Sequence, residues 1–328
     1  MSPKEILSQL NIPGQCKRYG ISLWQYPQFL FLVMGLVITT STLTAYAIGT
    51  RYIEEPRMVA LMVLLTTAIL FIIAVIITNS FERLAEANRM KSEFVSIVSH
   101  QLRSPLSNLK WAIELLMSGK LGKIEEKQTE YFKILKENSD RMGELIKDLL
   151  IVSRIETAKL PIKKMEFSLE DLVKELIKEF TPFALASNAE IKFLSEENLP
   201  KIFADPSQIR LVVENLLDNA IRYIKGRGVV EIKIESQARQ KFLTKNLGGQ
   251  EKNIYFKIRD NGVGIPKEEQ KYIFQKFFRS GNILRYQTQG SGLGLYISKA
   301  IIEKSGGKIG FKSQEGIGST FWFTLSIK

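Results

Sequence analysis

His100 is the only histidine in 328 residues. It lies in "FVSIVSHQLRSPLSNL", with Gln101 beside it and Ser104 four residues further on. A neutral imidazole has a free lone pair near pH 7, so it can serve as nucleophile, proton carrier or ligand. Helical spacing puts the Ser104 hydroxyl on the same face as the ring. Pro105 lacks the N–H that the Gln101 carbonyl would accept, which predicts a kink next to the histidine. On these residues alone, filler, ligand and reacting group all stay open. A second set of candidates is glycine-rich: "DNGVGIP" (260–266), "GSGLGL" (290–295) and "GIGST" (316–320). Glycine lets backbone approach a phosphate, and a helix N-terminus offers N–H groups to anions. Each cluster taken singly is equally an ordinary turn. "GSGLGL" lacks the full dinucleotide fingerprint and follows a loop, which argues against a dinucleotide site. With one cysteine, Cys16, and one histidine, an intrachain disulfide framework and a Cys/His zinc site are excluded.

The elements that must position these residues begin with two uncharged apolar runs, 28–49 and 58–78. Each is near the roughly 20 residues needed to cross a bilayer core of about 30 Å. Trp24 and Tyr26 precede the first run and Tyr46 and Tyr52 mark its other end, as in an interfacial aromatic belt. The first run is too long and starts too late for a cleaved signal peptide. The connector, 50–57, offers an outside stimulus almost nothing to bind. A slight excess of Lys and Arg outside that connector places both ends in the cytoplasm. Ala45 and Gly49 suit close helix packing, while the "TTSTLT" hydroxyls are as well suited to bonding back to their own helix. From Thr78 to His100 no proline or glycine interrupts, and Phe81, Leu84, Ala87, Phe94 and Ile97 or Val98 fall near heptad spacing. This reads as one signalling helix with no separate relay domain. "SGKLGK" (118–123) breaks it, and a second helix follows from about Glu125 to Glu156, with Leu135, Met142, Leu145, Ile146, Leu149 and Val152 as its apolar stripe. Such a hairpin exposes too much apolar surface alone, and a dimer forming a four-helix bundle covers it.

Beyond a linker, helix and strand alternate. Ser168 with Asp171 opens one helix, Asp205 and Pro206 open another that is expected to end at Gly226, and four strands are legible: "VVEIKIE", "NIYFKIRD", "KIGFKS" and "STFWFTLSI". The pattern implies a mixed sheet with helices on one face. Composition is that of folded protein, 45% hydrophobic and 24% charged. The formal net charge of +12 suits nucleic acid, an anionic membrane face or nucleotide phosphates without choosing among them.

"FVSIVSHQLRSPLSNL", "NLLDNAIRY", "DNGVGIP", "IFQKFFR", "GSGLGL" and "GIGSTFWFTL" follow one another in the order of the H, N, G1, F, G2 and G3 boxes. Over residues 89–328 the chain resembles a membrane sensor histidine kinase of a two-component system. The resemblance implies an α+β membrane protein. Two transmembrane helices precede a dimeric hairpin forming a four-helix bundle and a C-terminal α/β sandwich of the Bergerat ATP-binding fold. It implies a cytoplasmic N-terminal segment (1–27), spans at 28–49 and 58–78 around an extracytoplasmic loop (50–57), and a signalling helix (79–88). A dimerisation and phosphotransfer domain (89–157), a linker (158–164) and an ATP-binding domain (165–328) follow. His100 would be the phosphoacceptor. Asn219 would hold Mg²⁺, with Asn215 nearby. Asp260 would accept from the adenine amino group, Tyr223 would pack on the base, and Arg222 and Arg279 would meet phosphates. Gly262, Gly264, Gly290, Gly292 and Gly294, with Leu293, would shape the loops, and Arg279 to Gly290 would form a lid over ATP. Partners implied are a response regulator receiver domain, a second copy of the chain and membrane lipid, with no direct nucleic acid contact. The location implied is the cell membrane, multi-pass, with both termini and the kinase domains cytoplasmic.

Two positions depart from the family pattern. Gln101 stands where Glu or Asp is common, and an amide can orient the ring but cannot take its proton. Ser104 stands where Thr is frequent and keeps the hydroxyl that would orient water against the partner's phospho-aspartate. The insertion 236–253 is long for a hairpin and reads first as a disordered basic loop, with a partner contact through Phe242, Leu243 and Leu247 as the alternative. Three rival readings are weaker. An ATPase of the same fold, such as a chaperone or topoisomerase module, places a water-activating Glu where this chain has Asn215. A non-catalytic or weakly active membrane scaffold would not need the intact Asn, Asp, Arg and Gly set. A nucleic-acid binder would need a groove-reading motif, and none accompanies the charge.

Overall fold

The computed structural model describes residues 27–157, 160–238, 252–281 and 290–327. The chain forms two compact units. Of the described residues, the first takes those up to Lys136 and within Ser153–Leu160, and the second those within Glu137–Val152 and Pro161–Lys328.

In the first unit, α1 (Pro27–Tyr52) and α2 (Pro56–Met117) are joined by only three residues, Ile53–Glu55. The helices thus extend into the expected 50–57 connector: Pro56 starts α2 because its missing N–H is spare at a first helical position. Both uses expected of the first helix's small and hydroxyl residues occur. Thr39, Thr40, Thr42, Thr44 and Thr50 each donate to a carbonyl one turn back at 2.7–3.0 Å. Gly49 meets Val59 so closely that a Cβ there would lie 2.8 Å from the valine Cγ1. A hydroxyl bridge between Thr42 and Thr67, 3.0 Å, also ties α1 to α2.

α2 runs without a break through the 58–78 run, the signalling stretch and Pro105, about 90 Å of helix. It closes at Ser118, whose N–H donates to Glu114 O. Gly119 and Gly122 take positive φ (71° and 138°) and turn the chain. α3 (Glu126–Glu156) then starts with the Glu125 N–H donating to Gln128 Oε1, 3.0 Å. It runs back along α2. Lys136 pairs with Glu114, Lys91 pairs with Glu156, and Ser153 Oγ donates to Ser92 O.

The second unit is built on a five-stranded sheet, in the order β2 (Ala189–Ser195), β4 (Gly228–Ala238), β5 (Lys252–Asp260), β7 (Gly318–Ser326), β6 (Lys308–Gln314). Only β2 and β4 are parallel, and the other neighbours are antiparallel. Two short strands, β1 (Met165–Phe167) and β3 (Ile202–Ala204), pair beside it. Register puts Ile232, Ile258 and Phe321 in one row, and Ile234, Phe256 and Phe323 in the next, all on one buried face. Against that face lie α4 (Leu169–Ala186), α5 (Pro206–Arg222) and α6 (Gly294–Lys304) through residues such as Val173, Leu216, Leu217 and Ile301, which are fully buried. Truncating Leu216, Leu217 or Ile301 to Ala costs about 2–5 kcal/mol. The expectation of helices on one face of a mixed sheet is met.

Both predicted helix starts are present. Ser168 Oγ accepts from Asp171 N, and Asp205 Oδ1 accepts from the Ser207 and Gln208 N–H groups. Burial opposes the charge on Asp205. Hydrogen bonds from the Ser207 hydroxyl and from the Lys163, Gln208 and Ser207 N–H groups outweigh burial and hold the carboxyl below its ordinary value. α5 ends at Arg222, earlier than the expected Gly226, because the Tyr223 carbonyl is taken by the Val263 N–H (3.0 Å) instead of continuing the helix. β4 and β5 reach into the predicted 236–253 insertion from both sides, and its centre, including Phe242, Leu243 and Leu247, lies outside the described residues.

Candidate active site

The three glycine clusters meet around one cavity of about 790 Å³ in the second unit. The first two of its walls come from the ends of β5 and β7. Asp260 closes β5 and is buried, and its Oδ1 accepts from Gly262 N (2.9 Å) and Ser319 N (3.1 Å). Burial lifts the Asp260 carboxyl above its ordinary value, against the pull of these N–H groups. Gly318 (φ 130°) has no room for a side chain, since a Cβ would sit 2.1 Å from Asp260 O. Gly264 (φ 64°) is equally confined, 2.0 Å from Gln314 O. The "DNGVG" and "GIGST" turns therefore rest directly on each other, with Gly316 N donating to Val263 O. Ser319 is part of the site and was not singled out by sequence reasoning.

α5 supplies the third wall. Asn215, Asn219 and Tyr223 recur at four-residue spacing on its cavity side. Asn215 Nδ2 donates to Gly294 O (3.3 Å), at the first turn of α6. A Cβ on Gly294 would lie 3.3 Å from the Asn215 Cγ. The Asn219 amide has no hydrogen-bond partner among the described residues and lines the cavity. Tyr223 is tied to the first glycine turn: a Cβ on Gly262 would lie 2.4 Å from its carbonyl oxygen. Burial pushes the Tyr223 hydroxyl up, with the Arg279 charge acting the other way.

Arg222 has a partner that sequence reasoning did not assign. Its Nε and Nη2 donate to the two Asp218 oxygens at 2.9 and 2.8 Å, a fork-to-fork pair. The four-residue spacing of Asp218 and Arg222 was the available signal. Burial disfavours the Arg222 charge, and the Asp218 hydrogen bond more than restores it. Arg279 lines the cavity near Gly290, which takes φ 133°. Gly292 (φ 68°) leans on the Phe277 backbone, where a Cβ would come within 2.8 Å. Leu293, buried, caps α6 and accepts from Ile297 N. Glu269 takes the Ser280 hydroxyl and the Gly281 N–H, anchoring the chain where the predicted lid begins. Residues 282–289 of that lid lie outside the described residues. Ser291 Oγ donates to Asp148 Oδ2 of α3, 2.8 Å away. Burial raises the Asp148 carboxyl, and the Ser291 bond lowers it in part.

His100, Gln101 and Ser104 are exposed on α2 in the first unit. Ser99, beside the histidine, is buried. Among the described residues no group of three or more His, Cys, Asp or Glu side chains stands where it could hold a metal ion.

Two family models match in tandem. The "His Kinase A (phospho-acceptor) domain" matches residues 90–158, and the "Histidine kinase-, DNA gyrase B-, and HSP90-like ATPase" matches residues 204–328. The chain belongs to the histidine kinase family. His100 falls in the phospho-acceptor match, and Asn215, Asn219, Asp260 and the glycine turns fall in the ATPase match. Sensor protein GacS of Pseudomonas syringae pv. syringae is 32% identical over 248 residues, 74% of this chain and 26% of that protein. The circadian input-output histidine kinase CikA of Synechococcus elongatus is 32% identical over 237 residues, 72% of this chain and 30% of that protein. The chain thus spans between about a quarter and a third of the length of these curated relatives. Full-length ShkA in complex with AMPPNP has a similar structure. It is 27% identical with a TM-score of 0.57, covering 71% of this chain and 45% of that one.

Proposed function

We propose that this chain is a membrane-anchored sensor histidine kinase. It binds Mg-ATP in the cavity at Asp260 and Asn219, phosphorylates His100, and passes the phosphoryl group to an aspartate of a response regulator receiver domain. The observation that carries this reading is the convergence of three glycine turns, Asp260 and Asn219 on one cavity, with an amide at 215. The ATPases of this fold use a carboxylate there to activate water. Without it, the phosphoryl group needs another acceptor, and His100, which lies within the phospho-acceptor match, is available.

Each residue has a defined task. The two N–H groups on Asp260 fix its carboxylate, and its remaining lone pairs accept from the adenine amino group. Tyr223 packs on the base. The unpartnered Asn219 amide suits a hard cation that takes oxygen ligands, with phosphates and water completing the shell. Bound Mg²⁺ would neutralise phosphate charge. Arg279 meets phosphate oxygens, and Arg222, held rigid by Asp218, adds positive potential at the cavity wall. Phosphoryl transfer depends on such positioning and charge stabilisation more than on covalent help. The His100 lone pair attacks the γ-phosphorus, the bond to the β–γ bridging oxygen breaks and ADP leaves. The imidazole proton goes to solvent, because Gln101 orients the ring without accepting it. In the second step a receiver aspartate oxygen displaces the imidazole nitrogen. Ser104 orients water for the reverse duty, hydrolysis of the aspartyl phosphate.

Residues 28–49 and 58–78 would span the cell membrane, with 50–57 outside and both termini inside. Phe31–Tyr52 and Pro56–Leu84 are long and apolar enough to cross, and large apolar residues on them, such as Leu36, Leu64 and Ile76, are exposed by 60% or more. In water that surface would be costly, whereas lipid covers it. Residues 79–88 would carry the signal into a 89–157 phosphotransfer domain, joined by 158–164 to the 165–328 ATP-binding domain. Phe94, Ile97, Leu109, Leu135 and Met142 are exposed and supply the surface that a second copy would cover in a four-helix bundle.

The test uses the full chain in detergent with Mg²⁺ and γ-labelled ATP. Label that is acid-labile, base-stable and absent from His100→Ala is expected. No label in the wild type, or label that survives the substitution, would reject the reading.

A further inference from the structure

Among the described residues, the helices of the second unit cover one face of its sheet. On the outer face, register sets Tyr255 beside Thr324 and Lys308, Lys257 beside Trp322 and Gly310, and Arg259 beside Thr320 and Lys312. Trp322 lies flat over Gly310, where a Cβ would come within 2.3 Å of the indole, and stacks on Tyr255 at 5.8 Å. The outer face of β5, β7 and β6 is therefore an aromatic centre flanked by Lys257, Arg259, Lys308 and Lys312. Among the described residues none of these four cations is in an ion pair, although Glu231 stands across from Arg259. On the β2–β4 half of the same face the charges are matched instead, Lys192 with Glu190 and Lys233 with Glu235.

The first unit fixes where the tether to this sheet begins. Glu156, the end of α3, pairs with Lys91 at 3.9 Å, and Ser153 bonds to Ser92. Lys91 is thirteen residues past Thr78, the end of the second proposed span, or about 20 Å of helix. From Thr157 to Met165 the chain spans at most roughly 27 Å when extended. That reach exceeds the distance from Lys91 back to the end of the span, so the tether is long enough to allow the sheet onto the lipid surface. Trp and Tyr favour the headgroup level, and Lys and Arg are drawn to an anionic leaflet.

We propose that the outer face of this sheet docks on the anionic headgroups of the bilayer that holds α1 and α2. Trp322 and Tyr255 sit at the interfacial level, and Lys257, Arg259, Lys308 and Lys312 sit over lipid phosphates. This rests on the membrane reading of the preceding subsection and not on kinase activity. The kinase would then respond to the lipid charge of its own membrane.

Lysine acetylation of the full chain in nanodiscs, read by mass spectrometry, tests it. In phosphatidylglycerol-rich discs, Lys257, Lys308 and Lys312 should label several-fold more slowly than in phosphatidylcholine discs, with exposed Lys201 unchanged. The difference should vanish at about 1 M NaCl, where the Debye length is about 3 Å. It should also vanish at Lys308 in a Lys257→Glu/Lys312→Glu variant. Equal labelling in both lipids, or protection that survives the double substitution, overturns the docking. So does protection by a short DNA duplex but not by anionic lipid. A chain that fails to enter nanodiscs overturns the membrane reading and the docking with it, whereas entry without lipid-dependent protection overturns the docking alone.

Discussion

Asn219 follows Asn215 by one turn of α5, and only Asn215 is tied down: its amide donates to Gly294 O, 3.3 Å away, while the Asn219 amide has no hydrogen-bond partner among the described residues. Two amides on one face thus have different duties. Asn215 fastens α5 to the first turn of α6, and Asn219 is the residue proposed to meet the cation. Asn219→Ala should leave the melting temperature near that of the wild type and remove the Mg²⁺ dependence of nucleotide binding. Asn215→Ala should lose about 1 kcal/mol of stability, the worth of a typical hydrogen bond, and keep Mg²⁺-dependent binding with reduced affinity. Thermal unfolding and nucleotide titration, each with and without Mg²⁺, separate the two. Equal effects at both positions would contradict the division.

Asp260 should weaken the fold at neutral pH. Burial raises its carboxyl above the unfolded value. A group raised in this way stabilises the fold fully below its unfolded pKa, about 4, and loses that contribution as pH rises through the folded value. Asp260→Asn keeps an acceptor oxygen for the Gly262 and Ser319 N–H groups and has no charge to desolvate. The variant should therefore melt above the wild type near neutrality, with the gap closing as the pH falls toward about 4, and should fail to bind ATP. A gap that is flat with pH would show that the Asp260 charge carries no such cost.

Gly226 and Gly264 have nearly the same positive φ, 66° and 64°, in different surroundings. Around Gly226 there is open space, whereas a Cβ on Gly264 would meet Gln314 O at 2.0 Å. Gly226→Ala should cost only the left-handed strain of a non-glycine residue, about 1–2 kcal/mol. Gly264→Ala should cost more, because the "DNGVG" and "GIGST" turns must part, and should lose nucleotide binding as well. Denaturant midpoints measured side by side check the contrast.

The chemistry was legible because each motif is a short run whose spacing is fixed by one turn or one helix. His100 and Ser104, or Asn215 and Asn219, need only helical periodicity to be placed on one face. The helix starts at Ser168 and Asp205 are also local, and both are present. Long-range partners were not legible. The Ser319 N–H that fixes Asp260 is 59 residues away in sequence, and Asp148 is 143 residues from Ser291. No periodicity links such pairs before the sheet and cavity form. β1 and β3 are three residues each and exist only through pairing with each other, so a single-sequence pattern carries little of them. β2 does alternate between outward and inward residues, but it was not among the four strands expected.

Gln101 and Ser104 set the last prediction, because they follow the proposed phosphoacceptor by one residue and by one helical turn and differ in kind. Both are exposed on α2, so substitution there should leave the fold intact. An amide at 101 orients the imidazole but leaves its proton to solvent. Gln101→Glu introduces an acceptor, and general-base help of this sort is worth up to about 10²–10⁴-fold. Autophosphorylation of the purified full chain should therefore be measurable in the wild type and faster in Gln101→Glu. An unchanged rate would mean that proton removal does not limit the step. Ser104→Ala removes a hydroxyl that the forward reaction does not use. It should keep the rate of His100 labelling and lose dephosphorylation of a phosphorylated receiver domain. If the alanine variant still dephosphorylates the receiver, the water-orienting group lies elsewhere on the helix.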